Sequence, residues 1–316
     1  MAAQSTRSTP ATANGSTPTA GEVRFDGRVA IVTGAGRGLG REHALLLGAR
    51  GAQVVVNDAS AEHARSTADD IVAAGGLAVA ETHSVADADG AAAIVRRAVA
   101  EFGALHIVLN NAGRGGPTGT IEQTTDEQVE VIVSTHLVGS FYVTRAAWPV
   151  LRGQGFGRVL FTASGSALGS AGMPAYSMAK AGLFGLTRSL AVEGEPHGIT
   201  VNAILPIGYT RSAALNPHED TRRWMEEHFP PSLCSPAACW LVHDDVPCTG
   251  ELITAGVGRV ARIATVGVPG LDRGGELTIE DVRDRWAEVV SMDGSGVVTS
   301  GRDELAFYTG EAAWRD

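Results

Sequence analysis

Val29-Ala30-Ile31-Val32-Thr33-Gly34-Ala35-Gly36-Arg37-Gly38-Leu39-Gly40 opens as an apolar, largely β-branched run and breaks into four glycines within seven positions. A helical pattern follows through Arg50. A strand that turns on glycine into a helix lets backbone N–H groups approach a pyrophosphate at the positive helix end. A Cβ at Gly34 or Gly38 is expected to push such phosphates away. A glycine pattern alone is weak evidence, and its place in a first strand–helix unit is what gives it weight.

Outward from this turn, β-branched runs alternate with Ala- and Leu-rich amphipathic stretches, the pattern of βαβ units. Strands are predicted at Val29–Thr33, Gln53–Asn57, Ala78–Thr82, His106–Asn110, Val159–Thr162, Thr200–Ile204 and Leu252–Thr254, with helices between them. Gly75-Gly76 after Ala74 is expected to close one helix. The prediction is an α/β fold, a doubly wound, seven-stranded parallel sheet of Rossmann type in strand order 3-2-1-4-5-6-7.

Residues 1–22 are rich in Ala, Ser, Thr and Pro, with neither the apolar stretch of a signal peptide nor the Arg content of a transit peptide. A disordered tail is expected there. The Rossmann-type domain is expected over 23–258. Residues 259–316 read as an extension packed on that domain or on a partner subunit. Its helix is expected at Thr278–Val290, with Thr278 and Glu280 as N-terminal capping residues.

A formal net charge of −10 argues against a nucleic-acid partner, since phosphate binding leans on clustered Lys and Arg. No apolar run approaches the ~20 residues of a membrane span. Cys234, Cys239 and Cys248 lack the tight spacing of a metal site and read as reduced thiols of a cytoplasmic protein.

The second strand ends in Asn57-Asp58, about 20 residues past the glycines. A carboxylate there accepts from both hydroxyls of an adenosine ribose and repels a 2′-phosphate, so Asp58 favours NAD. Arg37 pulls the other way, because a guanidinium can pair with that phosphate. NAD is expected over NADP.

Tyr176-Ser177-Met178-Ala179-Lys180 places a phenol and an amine four residues apart, on one helix face if Ala179–Glu193 is helical. A free phenol, with a pKa near 10, is a poor base at neutral pH. A neighbouring ammonium favours the phenolate and brings it into range for trading protons with an alcohol. Ser164 follows the fifth strand at the sheet edge where ligands bind in open α/β sheets, and could hold a substrate carbonyl near Tyr176. Asn111-Ala112-Gly113 follows the fourth strand at the same edge.

Together Thr33–Gly40, Asn111-Ala112-Gly113, Ser164 and Tyr176-x-x-x-Lys180 resemble the classical short-chain dehydrogenase/reductases over residues 25–258. The resemblance implies Tyr176 as general acid/base, with Lys180 lowering its pKa and binding the nicotinamide ribose. It also implies Ser164 orienting the substrate oxygen, Asn111 stabilising the sheet, and cofactor contacts at Gly34, Arg37, Gly38, Leu39, Gly40, Asp58, Asn111, Ala112, Gly113, Tyr176, Lys180 and Thr210. The family usually carries Asn-x-x-Gly before the fifth strand, where this chain reads His136-Leu137-Val138-Gly139. His136 either supports a relay to Lys180 or simply packs. The Ser164–Tyr176 interval is one residue shorter than the commonest, which leaves Ser166 as a rival serine.

Val54–Asp58, His136, Thr144-Arg145-Ala146-Ala147-Trp148 and the tail after Gly258 look like one branch. It is the (3R)-hydroxyacyl-CoA dehydrogenase, or 17β-hydroxysteroid dehydrogenase type, part of the multifunctional β-oxidation enzymes. That implies an NAD-dependent oxidoreductase acting on a secondary alcohol or ketone of a small-molecule substrate (a hydroxyacyl thioester, steroid or terpenoid), assembled as a homodimer or homotetramer. An NADPH-dependent 3-oxoacyl reductase and a non-catalytic nucleotide-sensing protein are the rival readings.

Ser177-x-x-Lys180 is discounted as a serine–lysine pair because its partner motifs are missing. Asp69-Asp70 reads as a solvated helix face, and His43 as exposed or packed. Trp224 and Phe229, in the irregular 206–231 segment, either line an apolar pocket or anchor a covering segment.

Overall fold

All five residues of Val29–Thr33 (β1) are buried, as are all four of Ile107–Asn110 (β4) and all six of Gly157–Thr162 (β5). Strands buried on both faces read as continuous apolar runs because helices cover a parallel sheet above and below. A computed structural model describes residues 21–116, 118–209 and 219–309. Gln53–Asn57 (β2), Leu77–Glu81 (β3), Ile199–Pro206 (β6) and Leu252–Gly256 (β7) complete the predicted set. The order is β3-β2-β1-β4-β5-β6-β7, parallel throughout.

The sequence reading missed an eighth strand, Arg259–Ile263 (β8), which continues the sheet beyond β7. Its residues are exposed or half-buried and carry two arginines, so no period-2 burial announces it. Val257 and Gly258, between β7 and β8, both take left-handed backbone, with φ of +52° and +71°. Two consecutive positive φ values suit a two-residue hairpin turn. Val257 is the one non-glycine residue with positive φ among the described residues.

The helices linking the strands are Gly38–Ala49 (α1), Ala61–Ala73 (α2), Ala88–Phe102 (α3), Asp126–Val133 (α4), Gly139–Gln154 (α5) and Pro174–Gly194 (α6). Gly75 takes φ +85° just past α2, as expected of a residue ending a helix. α1 packs on α2 and on a short helix, Ser235–Trp240; α3 packs on α5 and α4 on α6. Between α4 and α5 the backbone makes one π turn, Ser134–Val138. Glu219–His228 is a further helix.

The chain divides into two compact units, one up to Ala261 and one from Arg262. In the second, Ile279–Asp284 and Trp286–Val289 are separate helices that split the expected Thr278–Val290 at Arg285. Thr278 caps the first, as expected, but its reciprocal partner is Asp281 rather than Glu280. The Thr278 hydroxyl accepts from the Asp281 N–H, and the Asp281 carboxylate accepts from the Thr278 N–H. A two-stranded antiparallel ladder, 266–267 with 296–297, and Gly301–Thr309 complete the unit. No residue described between 262 and 309 is buried.

Candidate active site

Thr33, the last residue of β1, is the hub that fixes the glycine turn. Its Oγ1 accepts from the backbone N–H groups of Asn111 and Ala112, both at 3.0 Å. The Asn111 Nδ2 returns bonds to the carbonyls of Thr33 at 3.0 Å and Gly34 at 3.2 Å. So Asn111 braces the end of β1 against the end of β4.

The four glycines of the turn serve different ends. A Cβ on Gly34 (φ +62°) would sit 2.7 Å from the Ala112 Cα, and one on Gly40 would sit 2.4 Å from the Gly34 carbonyl oxygen. A Cβ on Gly36 would meet the Asp58 carboxylate at 2.7 Å. Only Gly38, at φ +56°, faces open space with no atom within 4 Å. The expectation that Gly34 keeps phosphates clear is therefore corrected: Gly34 lets the chain pack on itself, and Gly38 alone leaves the opening. No side chain caps α1, whose N-cap residue is the exposed Arg37. Uncapped N–H groups beside an open glycine fit a pyrophosphate. Leu39 and Gly40 are buried at the first turn of α1.

Asp58 stands at the end of β2, its Oδ2 accepting from the Gly36 N–H at 3.1 Å and its Oδ1 from the Ser60 N–H at 2.9 Å. Backbone donors thus hold a half-buried carboxylate beside the turn. Asp70 pairs with Arg41 at 2.7 Å on the exposed face of α2.

On the other side of the sheet centre, Pro174 sits in the first turn of α6, where its missing N–H costs nothing. Tyr176 and Lys180 follow on one face, with the Lys180 Nζ 5.7 Å from the centroid of the Tyr176 ring. Lys180 is buried and donates to the Thr162 carbonyl at the end of β5. Burial pushes its amine down to about 7. Burial pushes the Tyr176 phenol above its usual value, and a hydrogen bond with Ser164 opposes that rise. Ser164 also accepts from the Ser166 N–H at 3.2 Å, so Ser166 meets the other serine through its backbone.

His136 lies within the π turn, its ring edge-on to Tyr176 at 5.1 Å and 87°. Desolvation first, then the Lys180 charge, press its imidazole down to about 3. Gly113 is forced by this ring: a Cβ there would lie 2.5 Å from the His136 Cε1. Thr210 lies outside the described residues. Trp224 packs on Phe229 at 4.8 Å but stays 52 % exposed, and the Phe229 carbonyl accepts from the Tyr209 N–H.

His43 is fully buried and its Nδ1 pairs with the Ser235 hydroxyl at 2.8 Å; burial pushes it down to about 4. None of the three cysteines forms a disulfide, and Cys234 and Cys239 are buried. Among the described residues no cluster could hold a metal ion and no helix is long and apolar enough to cross a membrane. Two participants carried no signal: the Thr162 carbonyl and the Arg114 backbone, which meets His136, act through atoms every residue has.

A family model described as short chain dehydrogenase matches residues 28–223. The chain belongs to the short-chain dehydrogenases. As such it is an oxidoreductase acting on CH–OH groups with a nicotinamide nucleotide. This dehydrogenase is 39 % identical, over 85 % of its length and 96 % of the relative's, to a short-chain type dehydrogenase/reductase of Mycobacterium tuberculosis. It is 36 % identical to the peroxisomal multifunctional enzyme type 2 of Drosophila melanogaster over 86 % of its length, spanning 46 % of that enzyme. The solved full-length fly enzyme superposes with a TM-score of 0.76, covering 90 % of this chain and 49 % of the fly chain. A 7α-hydroxysteroid dehydrogenase complexed with NADH and 7-oxo glycochenodeoxycholic acid gives a TM-score of 0.69 at 27 % identity, over 74 % of this chain and 95 % of its own. The likenesses thus include the multifunctional-enzyme branch.

Proposed function

We propose that the chain transfers hydride reversibly between NAD and a secondary alcohol or ketone on an apolar substrate of hydroxyacyl thioester, steroid or terpenoid type. Ser164 and Lys180, set around one half-buried phenol at the sheet edge, carry this assignment. Gly34, Arg37, Gly38, Leu39, Gly40, Asp58, Asn111, Ala112, Gly113 and Thr210 would hold the dinucleotide, with Tyr176 and Lys180 on its ribose. When bound, the nicotinamide supplies the hydride acceptor, or in reverse the donor.

The alcohol proton passes to the Tyr176 Oη, and in reduction Tyr176 returns it to the developing alkoxide. Ser164 donates to the substrate oxygen and fixes its distance from the phenol. The Lys180 ammonium, one turn on, favours the phenolate that alcohol oxidation requires. Holding these groups before substrate arrives removes the entropy of assembling them.

Asp58 supports NAD, because a 2′-phosphate would have to approach a carboxylate already held in place by two backbone donors. The neighbouring structure bound to NADH agrees. The exposed Arg37 favours the second reading, an NADPH-dependent 3-oxoacyl reductase. Turnover with NADH against NADPH decides between them. An Asp58→Ala variant should relax the preference about tenfold, as loss of ~1.4 kcal/mol of discrimination implies. Equal rates with both cofactors in the unsubstituted protein would overturn the NAD assignment. A cofactor-linked absorbance screen over hydroxysteroids, 3-hydroxyacyl-CoA thioesters and terpenoid alcohols identifies the substrate.

The functional domain is assigned to residues 23–258, with 259–316 as a docking extension of a cytoplasmic homodimer or homotetramer. Support for docking comes from Ile279, Trp286 and Met292, which are 84 %, 57 % and 59 % exposed in a unit with no buried residue among those described. Sizing the full chain against one ending at Ile263, which keeps β8 in the sheet, tests this.

A further inference from the structure

We infer that His136 is a positioning residue, which aims the Tyr176 phenol with its ring and anchors the Arg114 segment, past the end of β4, with its Nε2. The inference rests on the role proposed for Tyr176. It begins in the backbone. A π turn inserts a residue into a helix and is frequent at functional sites. Here it spans Ser134–Val138 and turns the His136 side chain inward, to 4 % exposure. The His136 carbonyl is taken by the Ser140 hydroxyl at 2.8 Å, so the imidazole rather than the peptide oxygen is the free chemical group.

Three contacts define what that imidazole does. Its ring stands edge-on to Tyr176 at 87°, a geometry that fixes the tilt of the phenol ring about its own axis. Its Nε2 lies 3.0 Å from the Arg114 nitrogen and 2.9 Å from the Arg114 oxygen. One tautomer accepts from the Arg114 N–H and the other donates to the Arg114 carbonyl, so either form anchors the segment following Asn111-Ala112-Gly113. Nδ1 is buried with no hydrogen-bond partner, against the Cα of Gly113, where a Cβ would come within 3.0 Å. The groups facing it are Tyr176, Lys180 and Arg114. It stays neutral beside the Lys180 amine and so adds no second cation to that flank of the phenol.

Two substitutions separate the two duties. His136→Phe keeps a ring against Tyr176 and loses the bond to Arg114; the expected result is kcat within threefold of the unsubstituted enzyme and a substrate KM raised tenfold or more. His136→Gln keeps a polar group near the Nε2 position and loses the ring; kcat should fall tenfold or more with KM within threefold. Cofactor Kd should be unchanged in both, and the loss of Tm should be similar in the two while the kinetic parameter affected differs.

Wild-type kcat and KM in both variants, or a parallel loss of kcat and KM in both, would overturn the inference. If neither variant folds, 15N signals of the unsubstituted protein serve. The His136 imidazole should keep a neutral pattern from pH 5 to 9 and shift as Tyr176 ionises above that range, but not in Tyr176→Phe. A ring titrating between pH 5 and 9, or one blind to Tyr176, counts against it. Tyr176→Phe kinetics keep the outcomes distinct: full activity in that variant defeats the proposed reaction, whereas inactivity there with unaffected His136 variants defeats only this inference.

Discussion

The β1–α1 turn and the first turns of α6 open on the same edge of one sheet but are built on opposite principles. In the turn, what counts is where side chains are missing: Gly34 and Gly40 let backbone meet backbone, and Gly38 leaves a gap. In α6 what counts is two side chains, Tyr176 and Lys180, held at fixed burial. One region is damaged by adding atoms and the other by removing them. Backbone donors suit a phosphate because they cannot rotate away, whereas a proton must move on a group whose pKa its surroundings can tune.

The sharpest test of that contrast is Tyr176→Phe, which removes one oxygen. kcat should fall by about 10²–10⁴-fold, the usual worth of a positioned acid/base group. Cofactor affinity should hardly change, as binding isotherms with NAD would show. A variant retaining more than a tenth of the rate breaks the contrast at its strongest point.

Adding one carbon in the turn should act on stability or on binding according to what lies beyond it. Gly40→Ala drives a Cβ to 2.4 Å from the Gly34 oxygen and should cost roughly 1–3 kcal/mol of stability, as overpacking does. Gly38→Ala meets nothing in the protein and bears chiefly the left-handed backbone cost of about 1 kcal/mol, so its damage should fall on cofactor affinity. Denaturant midpoints and cofactor titrations on the two variants separate these effects. Equal destabilisation with unimpaired cofactor binding by Gly38→Ala would contradict the assignment of the gap.

Lys180 gives a prediction in which function and stability part. Its folded-state pKa, about 7, lies below the unfolded value of 10.5, so between these the unfolded chain binds the extra proton. Stability from this group therefore rises as pH climbs from 7 towards 10 and is lost as pH falls through 7. Lys180→Met has no such dependence. The Tm of the unsubstituted protein minus that of Lys180→Met should increase across pH 7–10, while activity is lost at every pH. A flat difference would mean that the buried amine keeps an ordinary pKa.

The smallest effect is expected where the glycine logic of the turn is broken. Val257 holds φ +52° without being glycine. Val257→Asn, which tolerates that conformation, should add about 1 kcal/mol. An unchanged or lower midpoint in chemical unfolding would show that the Val257 side chain has contacts worth the strain.

Much of the fold was legible because its signals are local and redundant. Buried strands on both faces wrote Val54–Val56 and Ile107–Leu109 as plain apolar runs, and Gly75 marked a helix end through its own backbone preference. β8 escaped because an exposed edge strand carries no burial pattern, and Arg285 split the last predicted helix without a Gly or Pro to signal it. At the site, Tyr176 and Lys180 announced themselves because one helical turn fixes their separation whatever the tertiary fold. His136 could only be named as a departure. Its distance to Tyr176 is set by two helices and a π turn that no spacing encodes.

By itself, then, the sequence determined the alternation of strand and helix, the glycine turn, and which titratable side chains share a helix face, since each depends on residues a few positions apart. Only the tertiary structure decided which glycine faces open space, that Asp58 is held by Gly36, that Thr33 ties two strand ends together, and what His136 touches. Those facts depend on atoms brought together from distant parts of the chain, and their energies are spent on backbone groups that every residue carries alike.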